Sequence, residues 1–159
     1  MDSQMIIDGM RDYLDAQGWN YDYDAEKQLI RTGINIKNHV KSLKIFITVN
    51  GSVLSTYFIP AVNGDTEEYT ELLKFLNFAN WNMTSGSFEL DPSDGEIRFR
   101  YSVRLNDFEA FPESCADAAI VIPAMMYQKY GDSIATLCFG YSSAEEEIQK
   151  IHEAEEADE

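Results

Sequence analysis

The sequence predicts an α+β fold of five strands and three main helices, in the order helix, three strands, helix, two strands, helix. Three observations lead there. Ile97, Phe99, Tyr101, Val103 and Leu105 alternate with Glu96, Arg98, Arg100, Ser102 and Arg104, the period of a strand with one buried face. Asp91-Pro92-Ser93-Asp94-Gly95 carries a preset φ, Asx-type side chains and a glycine for positive φ, so the chain reverses between Phe88/Leu90 and Ile97/Phe99. Apolar residues at helical spacing bracket and divide the strands, as in Ile6, Ile7, Met10 and Leu14.

Residues 2–17 form the first helix, with Gly18 suited to its C′ position. Trp19, Tyr21 and Tyr23 follow it and are expected to pack over the edge of the core. From Gln28 to Gly64 there is no aspartate or glutamate, while Arg31, Lys37, Lys41 and Lys44 are present. Within that acid-free stretch Leu29–Lys37, Leu43–Asn50 and Ser52–Pro60 are rich in β-branched and aromatic residues and read as a three-stranded antiparallel meander.

Asn50-Gly51 suits a two-residue type I′ turn, which sets Val49 opposite Ser52, Ile47 opposite Leu54 and Leu43 opposite Phe58. That register sends Leu43, Ile45, Ile47, Val49, Leu54, Thr56 and Phe58 inward and Lys44, Phe46, Thr48, Val53, Ser55 and Tyr57 outward. Phe46 and Tyr57 on an open sheet face beside Lys44 are the first candidates for a partner surface.

Asp65 and Glu68 stand at capping-box spacing and start a second helix carrying Tyr69, Leu72, Leu73, Leu76 and Ala79, its apolar sector widened by Phe75, Phe78 and Trp81. After the hairpin, Glu113 to about Gly140 is helical, and Pro123 is expected to kink or divide it. Residues 142–159 hold eight acids against one lysine and are expected to be an acidic tail, partly helical or disordered, following a single domain over residues 1–141.

Composition narrows the function classes. The 159 residues, 45% hydrophobic, suffice for one compact core. A net charge of −16 argues against nucleic acid and against anionic membranes. Met1-Asp2-Ser3-Gln4 has no basic or apolar leader character, no apolar run is long enough to span a bilayer, and Cys115 and Cys138 read as buried thiols, so a cytoplasmic location is expected. Phosphate-loop, dinucleotide and zincin motifs are missing, and His39 and His152 are the only histidines, so no catalytic residue, metal site or cofactor is assigned.

The order of elements, with Gly86-Ser-Phe-Glu-Leu-Asp and Gly95-Glu-Ile-Arg-Phe-Arg, resembles the YbjN family, a bacterial branch of the type III secretion chaperone-like fold. The resemblance covers residues 3–140. It implies a five-stranded antiparallel sheet packed against helices, a homodimer, and a role described as sensory transduction regulation. Members of the fold that serve secretion bind extended segments of partner proteins and are not enzymes.

Arg98, Arg100 and Arg104 share one strand face, where the plainest expectation is cross-strand pairing with acids such as Glu89. With Lys44, Phe46 and Tyr57 they also compose a candidate docking face for a protein or peptide client, or for the chain's own acidic tail. The expectation is a non-enzymatic, chaperone-like or regulatory interaction module. The alternative is a small-molecule sensor with a pocket between helix and sheet, lined by aromatics such as Trp81 and Phe78.

Overall fold

The computed structural model describes residues 1–81 and 83–158. Helix α1 (Ser3–Ala16) is followed by strands β1 (Asp22–Asp24), β2 (Leu29–Asn35), β3 (Ser42–Asn50) and β4 (Val53–Pro60), helix α2 (Tyr69–Trp81), strands β5 (Ser87–Leu90) and β6 (Ile97–Arg104), and helices α3 (Glu113–Cys138) and α4 (Ala144–Ala157). The six strands form one sheet in the order β1-β2-β3-β4-β6-β5, antiparallel at every pairing. The expected five-stranded sheet is therefore corrected to six. The added strand is Asp22-Tyr23-Asp24, too short for its alternation to register alone, and it is held by pairing with β2, where Asp22 and Asp24 both approach Arg31. Trp19, Tyr21 and Tyr23 pack against the core as expected.

The β3–β4 hairpin has the expected faces but a register two residues away from the expected one. Asn50 pairs with Val53, Ile47 with Thr56 and Leu43 with Pro60, so the turn residues are Gly51 and Ser52. Gly51 has φ +59 while Ser52 is not among the positive-φ residues, the signature of a type II′ rather than a type I′ turn. A shift of two residues leaves every side chain on its face, and Leu43, Ile45, Ile47, Leu54, Thr56 and Phe58 are all buried.

The β5–β6 hairpin forms as its turn sequence dictates. The Asp91 carboxylate accepts from the Ser93 amide at 2.8 Å and the Ser93 hydroxyl at 2.6 Å, and Gly95 closes the turn with φ +77. The Gly95 amide donates to the Asp91 carbonyl at 2.8 Å.

Three helices cover one face of the sheet, α1 lying on β3 and β4, α3 on β4 and β6, and α2 against β5, while α4 packs on α2 and α3. The core between the layers holds Ile6, Met10, Ile45, Phe58, Phe99 and Tyr127, each fully buried. Burying a large side chain of this kind stabilises by about 1.5–3 kcal/mol.

Three expectations about the helices change. Asp65 makes no side-chain cap; its carbonyl accepts the Glu68 amide at 2.9 Å, so the entry is a 3₁₀ turn over Thr66–Glu68 before α2 begins. Pro123 does not divide α3, which runs from Glu113 to Cys138 without a break. The acidic end is helical to Ala157, because Ser143 and Glu146 form a reciprocal capping box and Ala144 and Ile151 are buried. Cys138 is buried, Cys115 is half-buried, and both are free thiols.

Candidate protein-interaction surface

Because the helices occupy one side, the outward side chains of the sheet stay uncovered. Phe46 on β3 lies directly opposite Tyr57 on β4, and Tyr57 directly opposite Arg100 on β6. Phe46 and Tyr57 are half-buried. The Arg98 guanidinium sits 5.0 Å from the centre of the Tyr57 ring, a cation–π contact. Phe46, Tyr57, Arg98 and Arg100 thus form one continuous patch.

Glu89 on β5 organises the charge of that patch. Its Oε2 accepts from Arg98 Nε at 2.7 Å and its Oε1 from Arg100 Nε at 2.7 Å. Partial burial works to raise the Glu89 carboxyl, but hydrogen bonds from Arg100 and Arg98 outweigh it and hold the group below the ordinary carboxylate range. The bond to Glu89 likewise raises Arg100. An incoming carboxylate must compete with Glu89 for these two arginines.

The remaining candidates stand apart. Lys44 is two residues along β3 from Phe46, opposite Ile59, and Arg104 is four residues along β6 from Arg100, opposite Val53. At about 3.3 Å per residue that puts Arg104 well outside the patch. Neither Lys44 nor Arg104 has an acidic partner among the described residues. The expectation that the acidic tail lies on the arginines is overturned. Helix α4 packs against α2 and α3 on the other side of the sheet, where Glu155 takes Lys129 at 2.6 Å and Glu71 of α2 accepts the Ala144 amide at 2.7 Å.

The two sheet edges are not equivalent. On β5 the Asn80 side chain accepts from the Phe88 amide at 2.8 Å and donates to the Phe88 carbonyl at 2.9 Å, as a neighbouring strand would. The pairing of Glu89 with the strand arginines is the cross-strand contact expected from the sequence. Sequence reasoning missed Asn80, whose signal was weak: one polar residue inside an apolar helix.

The helical side contains a cavity of about 340 Å³ lined by Phe78, Met83, Ile122, Met125, Met126 and Tyr130. It lies among α2, α3 and α4, not between helix and sheet as expected, and Trp81 is no part of its lining, being 81% exposed. His39 and His152 lie with Asp132 and with Phe78 and Glu155 respectively, and no cluster of three metal-ligating side chains occurs among the described residues. No described helix is long and apolar enough to cross a membrane.

These features define a class: an α+β protein with a one-sided antiparallel sheet and helices packed on its other face. Residues 7–119 match the family model YbjN, described as "Putative bacterial sensory transduction regulator", and the chain belongs to the YbjN family. Among solved structures it is similar to YbjN from E. coli, described as "a putative transcription regulator", with a TM-score of 0.60 at 10% identity over 80% of this chain and 92% of that one. It is also similar to a chain of the ExsC–ExsE complex, with a TM-score of 0.53 at 13% identity over 81% of this chain and 96% of that one. At these identities the likeness is one of fold. No curated protein matches the chain.

Proposed function

We propose that this protein is a non-enzymatic interaction module, chaperone-like or regulatory, that binds a protein or peptide segment on the outer face of its sheet. The observation that carries this reading is the uncovered patch of Phe46, Tyr57, Arg98 and Arg100, where aromatic area and guanidinium donors stand together on a face that no helix covers. The aromatic rings supply apolar contact, and the arginines supply bidentate donors to carboxylates or carbonyls. Lys44 and Arg104 extend cationic charge to either side. The ExsC–ExsE relative is itself a complex of proteins, which favours a protein partner. The net charge of −16 disfavours nucleic acid and anionic membranes.

In this reading residues 1–141 are the chaperone-like unit, residues 142–159 are appended to it, and the protein works as a cytoplasmic homodimer. A photo-cross-linking residue at Phe46 tests the face. A partner captured there and lost in Arg98→Glu/Arg100→Glu supports docking, and capture that ignores the double substitution ends it. Light scattering on the full chain and on a version ending at Gly140 tests the dimer.

A second reading is favoured by the cavity among α2, α3 and α4, whose volume lies in the range of small-ligand sites. Native mass spectrometry of the purified protein distinguishes it: a bound metabolite supports a sensor, and a bare chain removes it.

A further inference from the structure

Strand β2 has an open edge. The Ile36 amide donates to the Lys41 carbonyl at 2.8 Å, and residues 36 and 41 continue the β2–β3 register, so even-numbered residues of β2 bond toward β3 and odd-numbered ones point away. The turn supports the same parity: Asn50 and Val53 close a two-residue loop, which directs even-numbered residues of β3 to β4 and odd-numbered ones to β2. On the far side of β2, Leu29 and Arg31 face β1, but β1 begins only at Asp22, opposite Arg31, and leaves residues beyond Arg31 unpaired on that side. Thr32 Oγ1 donates to the Asn20 carbonyl at 2.7 Å; Thr32 points to the helical face, so the chain at Asn20 has left the sheet toward α1. Gly33 and Asn35 are exposed, and their outward amides and carbonyls have no partner among the described residues.

That edge is the cationic corner of an acidic molecule. Lys37, Lys41 and Lys44 flank it, and none has an acid within ion-pair distance among the described residues. The nearby carboxylates are engaged elsewhere: Asp22 and Asp24 by Arg31, and Asp132 by the amide and Nδ1 of His39. The loop carrying the lysines is fixed to α3, since Asn38 donates to the Tyr127 carbonyl at 2.9 Å. Lys41 itself has φ +68, where glycine would be unstrained.

We infer that an extended acidic segment of a partner protein adds as a further strand to β2 over Gly33–Lys37. Its main chain bonds to Gly33 and Asn35, and its carboxylates reach Lys37, Lys41 and Lys44. This rests on the segment-binding reading and adds to the face a main-chain register and a preference for acidic sequence. A second copy of this chain pairing edge to edge there would set Lys37, Lys41 and Lys44 against their own counterparts, which disfavours it.

The test uses full-length protein with a labelled peptide of alternating glutamate and valine, and a lysine–valine peptide as its sign-reversed control, in low and high salt. Only the acidic peptide is expected to bind, as one peptide per chain, shifting the Gly33 and Asn35 amide resonances. Charge reversal at Lys37, Lys41 and Lys44 is expected to weaken it by at least about tenfold and to remove most of its salt dependence. Asn35→Pro removes an amide that points away from β3, so the sheet persists by circular dichroism while binding falls. Equal binding of the two peptides, indifference to Asn35→Pro, no binding of the acidic peptide, or a dimer that Asn35→Pro separates overturns the inference. Shifts confined to Phe46, Tyr57 and Arg98 also overturn it but leave the face reading standing. Cross-linking at Phe46 decides that reading independently.

Discussion

The Thr56 hydroxyl donates to the Ala119 carbonyl at 2.7 Å, and that carbonyl is the one Pro123 leaves without its i+4 donor. A buried polar residue in the middle of a sheet and a proline in the middle of a helix therefore answer one another across the layer boundary. The relationship explains why α3 stays continuous and why Thr56 is fully buried without cost to hydrogen bonding.

Thr56→Val keeps the shape and removes the donor, leaving a buried carbonyl unpaired. It is expected to destabilise by about 1–3 kcal/mol in urea unfolding. Pro123→Ala restores an amide to Ala119, so the same substitution in that background is expected to cost distinctly less. Equal costs in the two backgrounds would break the proposed link.

Asn80 substitutes for a strand along β5. Asn80→Ala removes both bonds to Phe88 and is expected to cost about 1–3 kcal/mol. It also opens that edge to pairing, so sedimentation is expected to show concentration-dependent association absent from the parent.

The docking of α4 depends on ionised carboxylates. Glu71 is held below its ordinary range first by the Ala144 amide and then by Lys74, Glu146 first by the Ser143 amide, and Glu155 first by Lys129. A carboxyl depressed in the folded state contributes stability that is fully present above its unfolded pKa and is lost as pH falls through the folded value. Protection of the Ala144–Ala157 amides, taken relative to their intrinsic exchange rate at each pH, is therefore expected to be high at neutral pH and to fall as pH drops through and below the carboxylate range. Glu71→Gln is expected to speed exchange in α4 already at neutral pH. Protection that rises on acidification would contradict this.

Lys41→Gly relieves a left-handed backbone and is expected to stabilise by about 1 kcal/mol in thermal or urea unfolding. The same change is expected to weaken the acidic peptide at β2, so stability and binding move in opposite directions.

Much of this was legible in the sequence because it depends on local chemistry. Alternation set the faces of β3, β4 and β6, Asp91 to Gly95 set the β5–β6 hairpin, and the apolar stripe of residues 6–14 set α1, each through forces acting within a few residues. The arginine pairing with Glu89 was also foreseeable, since it follows from cross-strand neighbours. Other features required distant partners. Asn50-Gly51 and Gly51-Ser52 are both workable turns with the same faces, so the choice between them falls to how β4 fits β6 and α3. Strand β1 exists only through its pairing with β2. The acidic end is helical to Ala157 because Glu71 and Lys129, 73 and 26 residues from their partners Ala144 and Glu155, receive it, where charge alone left it partly helical or disordered. Local pattern thus determined which residues face inward, and tertiary contact determined register, the last helix and which edge stays open, because those depend on partners that only folding brings within hydrogen-bond reach.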